Sequence, residues 1–351
     1  MINLMLKIAT CSLLFTMFAA LPSIGKNKDS HHSSYPSATV LPYIIGNQLP
    51  TTEQGQRTQG NKNNLQAILD DNAKVEKLAS GFKFTEGPLW HPQGFLLFSD
   101  IPDNTIYKLN SHKKAEVFRR PSGNANGNTL DRQGRPIAAQ HDRRITRTEK
   151  DGKVVTLIER YQGKRLNSPN DLVVKSDDSI YFTDPPYGIG VQQEELGFYG
   201  VYRLAKNGQL TLLVNDFVRP NGIAFSPDEK KLYVNDSQKG HIRVFDVKPD
   251  GTVANGRVFA ELKDPSKQGV PDGMKVDLQG NVYSTGPGGV WIFSPSGNLL
   301  LKIFLPETST NLAWGDSDYK TLYITAGTSI YRIRLKIAGV RPGKMVSRLA
   351  L

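Results

Sequence analysis

Six segments of the chain share one pattern, and that repeat constrains the fold more than any other feature of the sequence. A polar or acidic residue opens a short apolar strand. A turn built on Asp, Pro, Gly or Lys follows, then a second strand rich in Tyr, Phe, Leu and Val. The segments begin at Glu86 (EGPLWHPQGFLLFSD), Asn126 (NGNTLDRQGRPIAA), Asn170 (NDLVVKSDDSIYFTD), Asn221 (NGIAFSPDEKKLYVND), Asp272 (DGMKVDLQGNVYST) and Asn311 (NLAWGDSDYKTLYITA), spaced by 40, 44, 51, 51 and 39 residues. A period of that length carrying strands predicts propeller blades of four strands each. The 32 Gly and 21 Pro among 351 residues agree, since so many chain-breakers exclude long helices.

The later strands of each unit are also legible. Third strands are expected at 105–109, 144–148, 199–204, 241–246, 289–294 and 329–334, and fourth strands at 115–118, 154–158, 210–214, 257–260 and 299–303. The sixth unit has no fourth strand of its own, and Val75–Ala79, ahead of the first unit, is a strand without a sheet. The two deficits cancel if Val75–Ala79 completes the last blade and closes the ring, leaving no exposed edge. The expected fold is all-β: a six-bladed propeller over 64–340, closed by an N-terminal strand, with a tail at 341–351.

Lys7 precedes an apolar run, Ile8 to Leu21, followed by small residues at Ser23 and Gly25. The run is short for a stable membrane span, and residues 1–25 read as a secretory signal peptide. Residues 26–63 are polar and read as a flexible leader. Cleavage would remove Cys11, the one cysteine, as suits an exported, periplasmic or secreted protein. Six His and a single Cys exclude a Cys-based zinc site and a disulfide framework. The formal charge of +11 is scattered and never interleaved with aromatics, so no nucleic-acid surface is expected.

In a propeller the first strand of each blade lines the central channel and starts near its mouth. The six starts are Glu, Asn, Asn, Asn, Asp and Asn, residues depleted in strands. Asn and Asp commonly form turns and caps, but recurrence at one phase of a repeat argues for more. Carboxylates and carboxamides converging on one axis are costly to bury unless a cation lies between them. Hard oxygens of this kind suit Ca²⁺ or another hard divalent ion.

The segments FTEGPLW, RLNSPNDLVV, FVRPNGIAFSPD and VPDGMKVD, in that order, resemble the gluconolactonase/regucalcin family of six-bladed propellers. The bacterial gluconolactonase branch is the most similar, through NANGNTLDRQGR and KRLNSPNDLVVKSDDSIYFTDPPYG, and the resemblance spans about 74–335. It implies one divalent metal held by Glu86, Asn170, Asn221 and Asp272, with Ca²⁺ favoured and Zn²⁺, Mg²⁺ or Mn²⁺ possible. It further implies hydrolysis of a sugar lactone such as glucono-1,5-lactone, with the ion polarising the carbonyl and Asp272 doubling as general base. Arg165 and Asp171 match sugar-contacting positions, although Ser168 and Pro169 are extra residues between Arg165 and Asn170. His141, Asp184, Tyr187 and Asp236 end second strands, where they are candidates for sugar hydroxyls. Asn126 and Asn311 match no ligand position and read as supporting residues, Asp100 as a turn residue, and Trp90, Trp291 and Trp314 as packing. The alternatives are a non-catalytic propeller with a structural metal, and a related propeller esterase or organophosphate hydrolase.

Overall fold

The computed structural model describes residues 58–342. The expected signal peptide, most of the polar leader and the end of the tail lie outside them. Six antiparallel sheets, five of four strands and one of five, follow one another along the chain as blades of a β-propeller. Blade one comprises Thr85–His91, Phe95–Asp100, Thr105–Leu109 and Ala115–Arg119. Blade two comprises Ala125–Leu130, Pro136–Gln140, Arg144–Thr148 and Val154–Ile158. Blade three comprises Leu172–Val174, Ile180–Asp184, Tyr199–Leu204 and Leu210–Phe217. Blade four comprises Pro220–Phe225, Lys231–Asp236, His241–Val247 and Val253–Glu261. Blade five comprises Met274–Val276, Val282–Gly286, Gly289–Phe293 and Leu299–Phe304.

Blade six has three strands of its own, Ser309–Gly315, Thr321–Ala326 and Ser329–Arg334, and takes its fourth, Glu76–Ser80, from ahead of blade one. Glu76 pairs with Arg332 and Ser80 with Ser329, which closes the ring as the missing strand predicted.

The leader ends earlier than its composition suggested. Thr58–Gly60 adds a fifth strand to blade five, Thr58 pairing with Ile303, and covers an edge that would otherwise be open. The helix Lys62–Ile68 follows, its first turn capped by the Asn61 side chain, which accepts from the Asn64 N–H at 2.8 Å. Ile68 is buried and Leu65 partly so, among the side chains of blades five and six. At the other end, Leu335 bridges Leu69 and Gly339 bridges Asp277, so the chain past the last blade strand lies along the ring.

The core lies between neighbouring blades, where their apolar faces meet. Tyr283 of blade five meets Trp314 of blade six edge-on at 4.9 Å, and Tyr181 of blade three meets Phe225 of blade four at 4.8 Å. Trp90 stacks on Tyr323 at 5.2 Å, and Trp291 and Trp314 are buried, so the three tryptophans pack blades together. Gly286 pairs with Gly289, making GPGG the tip of a hairpin.

Candidate active site

The inner strands are irregular where they begin. The ladder between first and second strands breaks between Glu86 and Leu89, Ala125 and Asn128, Pro220 and Ile223, and Ser309 and Asn311. In blades three and five the first strand starts only after Asn170 and Asp272. A bulge, or a strand not yet begun, frees a side chain from the alternation of the ladder and aims it elsewhere.

Glycines then let the six strands crowd together at the axis. Gly87 has φ +48°, and a Cβ on it would lie 1.9 Å from the Asn126 carbonyl oxygen; one on Gly222 would lie 2.2 Å from that of Asp272. The space saved is used by bonds between blades. Gly127 N–H donates to Asn170 O at 2.8 Å, Gly222 N–H to Asp272 O at 2.9 Å, and Gly273 N–H to Thr310 O at 2.7 Å. Hydroxyls complete the ring, with Thr183 Oγ1 donating to Asn221 O at 2.8 Å, Ser99 Oγ to Asn126 O at 2.8 Å and Thr310 Oγ1 to Thr85 O at 2.7 Å.

Glu86, Asn221 and Asp272 come together at this ring, and Asn170 joins it through its backbone. Glu86 is held at one oxygen, Oε2, by the Gly87 N–H at 2.7 Å and Asn311 Nδ2 at 3.0 Å. Asn221 donates through Nδ2 to Ser237 Oγ at 3.1 Å, while its Oδ1 is buried without a hydrogen bond. Asn126 Oδ1 and Asp171 Oδ2 are likewise buried and without one. Buried oxygens normally find a donor; several without one, beside carboxylates, form a set suited to a hard cation.

The electrostatics agree. Glu86 is pushed up to about 7, first by burial and then by the charge of Asp171, against the lowering effects of Gly87, Asn311 and Lys275. Asp272 is pushed well above the usual carboxylate range by burial, then by Glu86 and Asp171, with the Asn221 amide opposing. The carboxylates repel one another in a poorly solvated place, which a bound cation would relieve. Among the described residues no three acidic, His or Cys side chains form a metal cluster. The four residues that the resemblance implied, Glu86, Asn170, Asn221 and Asp272, are two carboxylates and two carboxamides.

The remaining candidates divide. Asp171 belongs to the site: it is buried, its Oδ1 accepts from the Leu172 N–H at 2.9 Å, and its charge acts on both Glu86 and Asp272. Tyr187 is 43% exposed, at the rim. Burial raises its pKa first and the nearby charge of Asp272 next, while Ser237 and Asn221 lower it, so its hydroxyl faces the ring of oxygens. His141 lies at the wall, its Nε2 3.3 Å from Asn126 Nδ2, and burial lowers its pKa to about 4.

Asp184 and Asp236 do something other than wait for sugar hydroxyls. The Asp184 carboxylate accepts from the backbone N–H groups of Asn167 and Ser168, both at 2.8 Å. That of Asp236 accepts from Val218 at 2.8 Å and Arg219 at 3.2 Å, and from Gln238 and Lys239, both at 3.0 Å. Asp100 does the same for Lys83 at 2.9 Å and Phe84 at 3.2 Å. In each case the end of a second strand staples the loop that enters the first. Arg165 lies in the short strand Lys164–Arg165, ahead of the loop that enters blade three. Its guanidinium donates to the Asp142 carbonyl at 3.4 Å and its N–H to Glu195 at 2.8 Å, with the extra Ser168–Pro169 separating it from Asn170.

Sequence reasoning missed Lys275. Its Nζ donates to Met274 O at 2.9 Å, pairs with Asp171 Oδ2 at 3.6 Å, and lowers the pKa of Glu86. A lysine inside a channel-lining strand was the available signal. Asn311 supports, as expected, by fixing Glu86.

The region 84–328 matches the family model described as SMP-30/Gluconolactonase/LRE-like region. The chain belongs to this family. It is 35% identical over 303 residues to a gluconolactonase of Zymomonas mobilis, covering 78% of this chain and 85% of that protein. A gluconolactonase structure from Xanthomonas campestris superposes with a TM-score of 0.73 at 35% identity, covering 80% of this chain and 95% of that one. The calcium-binding protein regucalcin of Agrobacterium tumefaciens shares the fold, with a TM-score of 0.67 at 18% identity over 78% of this chain and 98% of its own. The matched region of this family member contains every inner-strand residue of the ring, Glu86 through Asn311.

Proposed function

We propose that the protein is a divalent-metal-dependent lactonase that opens a sugar lactone of the glucono-1,5-lactone type to its aldonic acid. Lactone hydrolysis is the activity named for the relatives at 35% identity over most of the chain. The observation that carries the metal dependence is the ring of buried oxygens without donors beside the mutually repelling Glu86 and Asp272. Glu86, Asn170, Asn221 and Asp272 would hold the ion, with Ca²⁺ favoured by the hard-oxygen set and Zn²⁺, Mg²⁺ or Mn²⁺ as alternatives. Bound there, a divalent ion supplies Lewis acidity toward a lactone carbonyl and makes a nearby water more acidic.

The chain's own residues supply the rest. Asp272 takes the proton of the attacking water and returns it to the ring oxygen as the ester bond breaks, so the base is regenerated. Asn221 orients Asp272, while Gly87 and Asn311 hold Glu86 with its other oxygen free. The Tyr187 hydroxyl faces the same space and offers a donor to the sugar. His141, kept neutral at physiological pH by burial, serves as a hydrogen-bond partner rather than a proton source.

Acid release from glucono-1,5-lactone, followed with and without a chelator, tests this reading. Turnover lost to chelator and restored by Ca²⁺ or another divalent ion is the expected outcome; full activity in excess chelator would sink the metal-dependent mechanism. Among the described residues no helix is long and apolar enough to cross a membrane. We further propose export by the N-terminal peptide, which predicts a mature N-terminus near Lys26 in the periplasmic or secreted fraction. A full-length N-terminus on cytoplasmic protein would refute export.

A further inference from the structure

We propose that Arg219 is a specificity-determining residue that binds an anionic group at the end of the lactone remote from its carbonyl. The proposal deepens the lactonase reading and rests on it. The substrate class is a sugar lactone bearing a phosphate, sulfonate or carboxylate, not one ending in a plain hydroxymethyl group.

The placement comes from the chain itself. Arg219 stands two residues before Asn221, in the bend that leads into the first strand of blade four. Its backbone is fixed, the N–H donating to Asp236 at 3.2 Å and the carbonyl accepting from the Ser237 N–H at 3.0 Å. The guanidinium lies 5.7 Å from the ring centre of Tyr187 and 5.6 Å from that of Tyr199. Tyr187 links the two places, its ring beside the guanidinium and its hydroxyl facing Asp272 and Asn221. One tyrosine side chain thus bridges the ring of oxygens and Arg219.

The chemistry of the guanidinium is unusual for its surroundings. Elsewhere, Arg143 pairs with Glu195 at 3.3 Å and Arg165 donates to the Asp142 carbonyl. Among the described residues, Arg219 has no carboxylate partner and its guanidinium donates to no protein acceptor; its contacts are the aromatic rings. Rings engage the faces of a guanidinium and leave the N–H groups along its edge free. That free edge matches the paired oxygens of a carboxylate, phosphate or sulfonate. The net charge of +11 would draw such a substrate toward the protein.

The test compares glucono-1,5-lactone with 6-phosphoglucono-1,5-lactone and glucaro-1,5-lactone, whose remote ends are hydroxyl, phosphate and carboxylate. Wild-type enzyme with divalent ion is expected to favour an anionic lactone by roughly tenfold to a hundredfold in kcat/KM, the range of a charge-assisted contact. Which anionic lactone leads distinguishes phosphate from carboxylate recognition. Arg219→Met should collapse that ratio, mainly through KM, and Arg219→Lys should recover part of it. A merely structural arginine would lower all three lactones alike and leave the ratio unchanged. Equal specificity constants in the wild type, or a ratio untouched by Arg219→Met, would overturn the inference. Calorimetric binding of 6-phosphogluconate to wild type and Arg219→Met reads the same contact without turnover. If no lactone is hydrolysed, loss of that binding in the variant still supports the anion site, and its persistence overturns it.

Discussion

Acids at the two ends of one blade hairpin meet opposite fates. In blade one, Asp100 at the end of the second strand is met by the backbone N–H groups of Lys83 and Phe84, one on each oxygen. Glu86, in the same blade, shares Oε2 between Gly87 and Asn311 and has no such partner for Oε1. The contrast recurs in blade three, where Asp184 is met by two amides while Asp171 keeps Oδ2 without a hydrogen bond. What separates the sets is the direction of nearby N–H groups, not residue type or burial. At strand ends the incoming loop turns its amides onto the carboxylate. At the strand starts Gly127, Gly222 and Gly273 give their N–H groups to neighbouring blades, and Gly87 and Leu172 turn one amide each onto Glu86 and Asp171. A buried acid with one oxygen left without a donor is costly as protein structure and suited to binding a cation.

The hardest blow to this comparison comes from Asp272→Ala. Removing a carboxylate that carries both ion and proton should lower kcat by about a hundredfold or more, with ion affinity falling about tenfold or more. Steady-state assays and calorimetric ion titration measure the two. A variant that keeps near-normal turnover would remove Asp272 from the chemistry.

The complementary change is Asp184→Ala. It leaves the Asn167 and Ser168 amides buried without an acceptor, for a destabilisation of about 2–4 kcal/mol, or a Tm drop of roughly 5–15 °C. Ion affinity should fall far less than in Asp272→Ala, apart from any displacement of the loop that carries Asn170. If the stability loss were absent and affinity collapsed instead, the division between stapling and ion-binding acids would be wrong.

How much of this could be read in advance follows from the same physics. The blades were legible because each must bury a strand pattern, and a repeat announces itself. Glu76–Ser80 was legible because an unfilled edge in blade six demanded a strand. Thr58–Gly60 was not, since three polar residues become a strand only by meeting the edge of blade five. Among site residues, the recurring phase brought out six strand starts, and the family resemblance narrowed them to Glu86, Asn170, Asn221 and Asp272. It did not separate Asp184 and Asp236 from them, because the orientation of backbone amides leaves no mark in a sequence. Lys275 hid in an apolar strand, and the Arg165 guanidinium donates to the Asp142 carbonyl, a contact that no motif announces.

A subtler test uses pH. In chelator, Glu86 titrates near 7 in the folded chain against 4.5 unfolded, and Asp272 is also raised. The folded state then holds protons that the unfolded state has released, so these acids lower stability as pH rises from about 4.5 to 7. Asp171 adds to their repulsion and Lys275 opposes it. A bound cation favours the ionised forms and reverses the trend. Asp184, raised to about 7, adds its own downward slope, and His141, lowered to about 4, adds an upward one below pH 6.5. Neither touches the ion, so both cancel in the difference between loaded and chelated protein. That difference in Tm should widen between pH 5 and 7.5 by the equivalent of about 1–3 kcal/mol. A gap independent of pH would mean that these carboxylates do not crowd.

The smallest expected effect belongs to Asn126, which sits between the two sets. Its backbone carbonyl is bound by Ser99 Oγ at 2.8 Å and by Asn128 Nδ2 at 3.1 Å, and its Nδ2 meets His141, yet its Oδ1 has no partner. It thus resembles the stapled residues through its backbone and the ion-binding ones through its side chain. The family resemblance implies no ligand role for Asn126, so Asn126→Ala should leave ion affinity near wild type. It should raise KM by roughly threefold to tenfold, the loss of one neutral hydrogen bond to substrate, with little change in kcat. Lactone kinetics beside an ion titration decide the matter: a fall in ion affinity as large as that of Asp272→Ala would add Asn126 to the ligand set, and the ring would then hold its cation with five side chains instead of four.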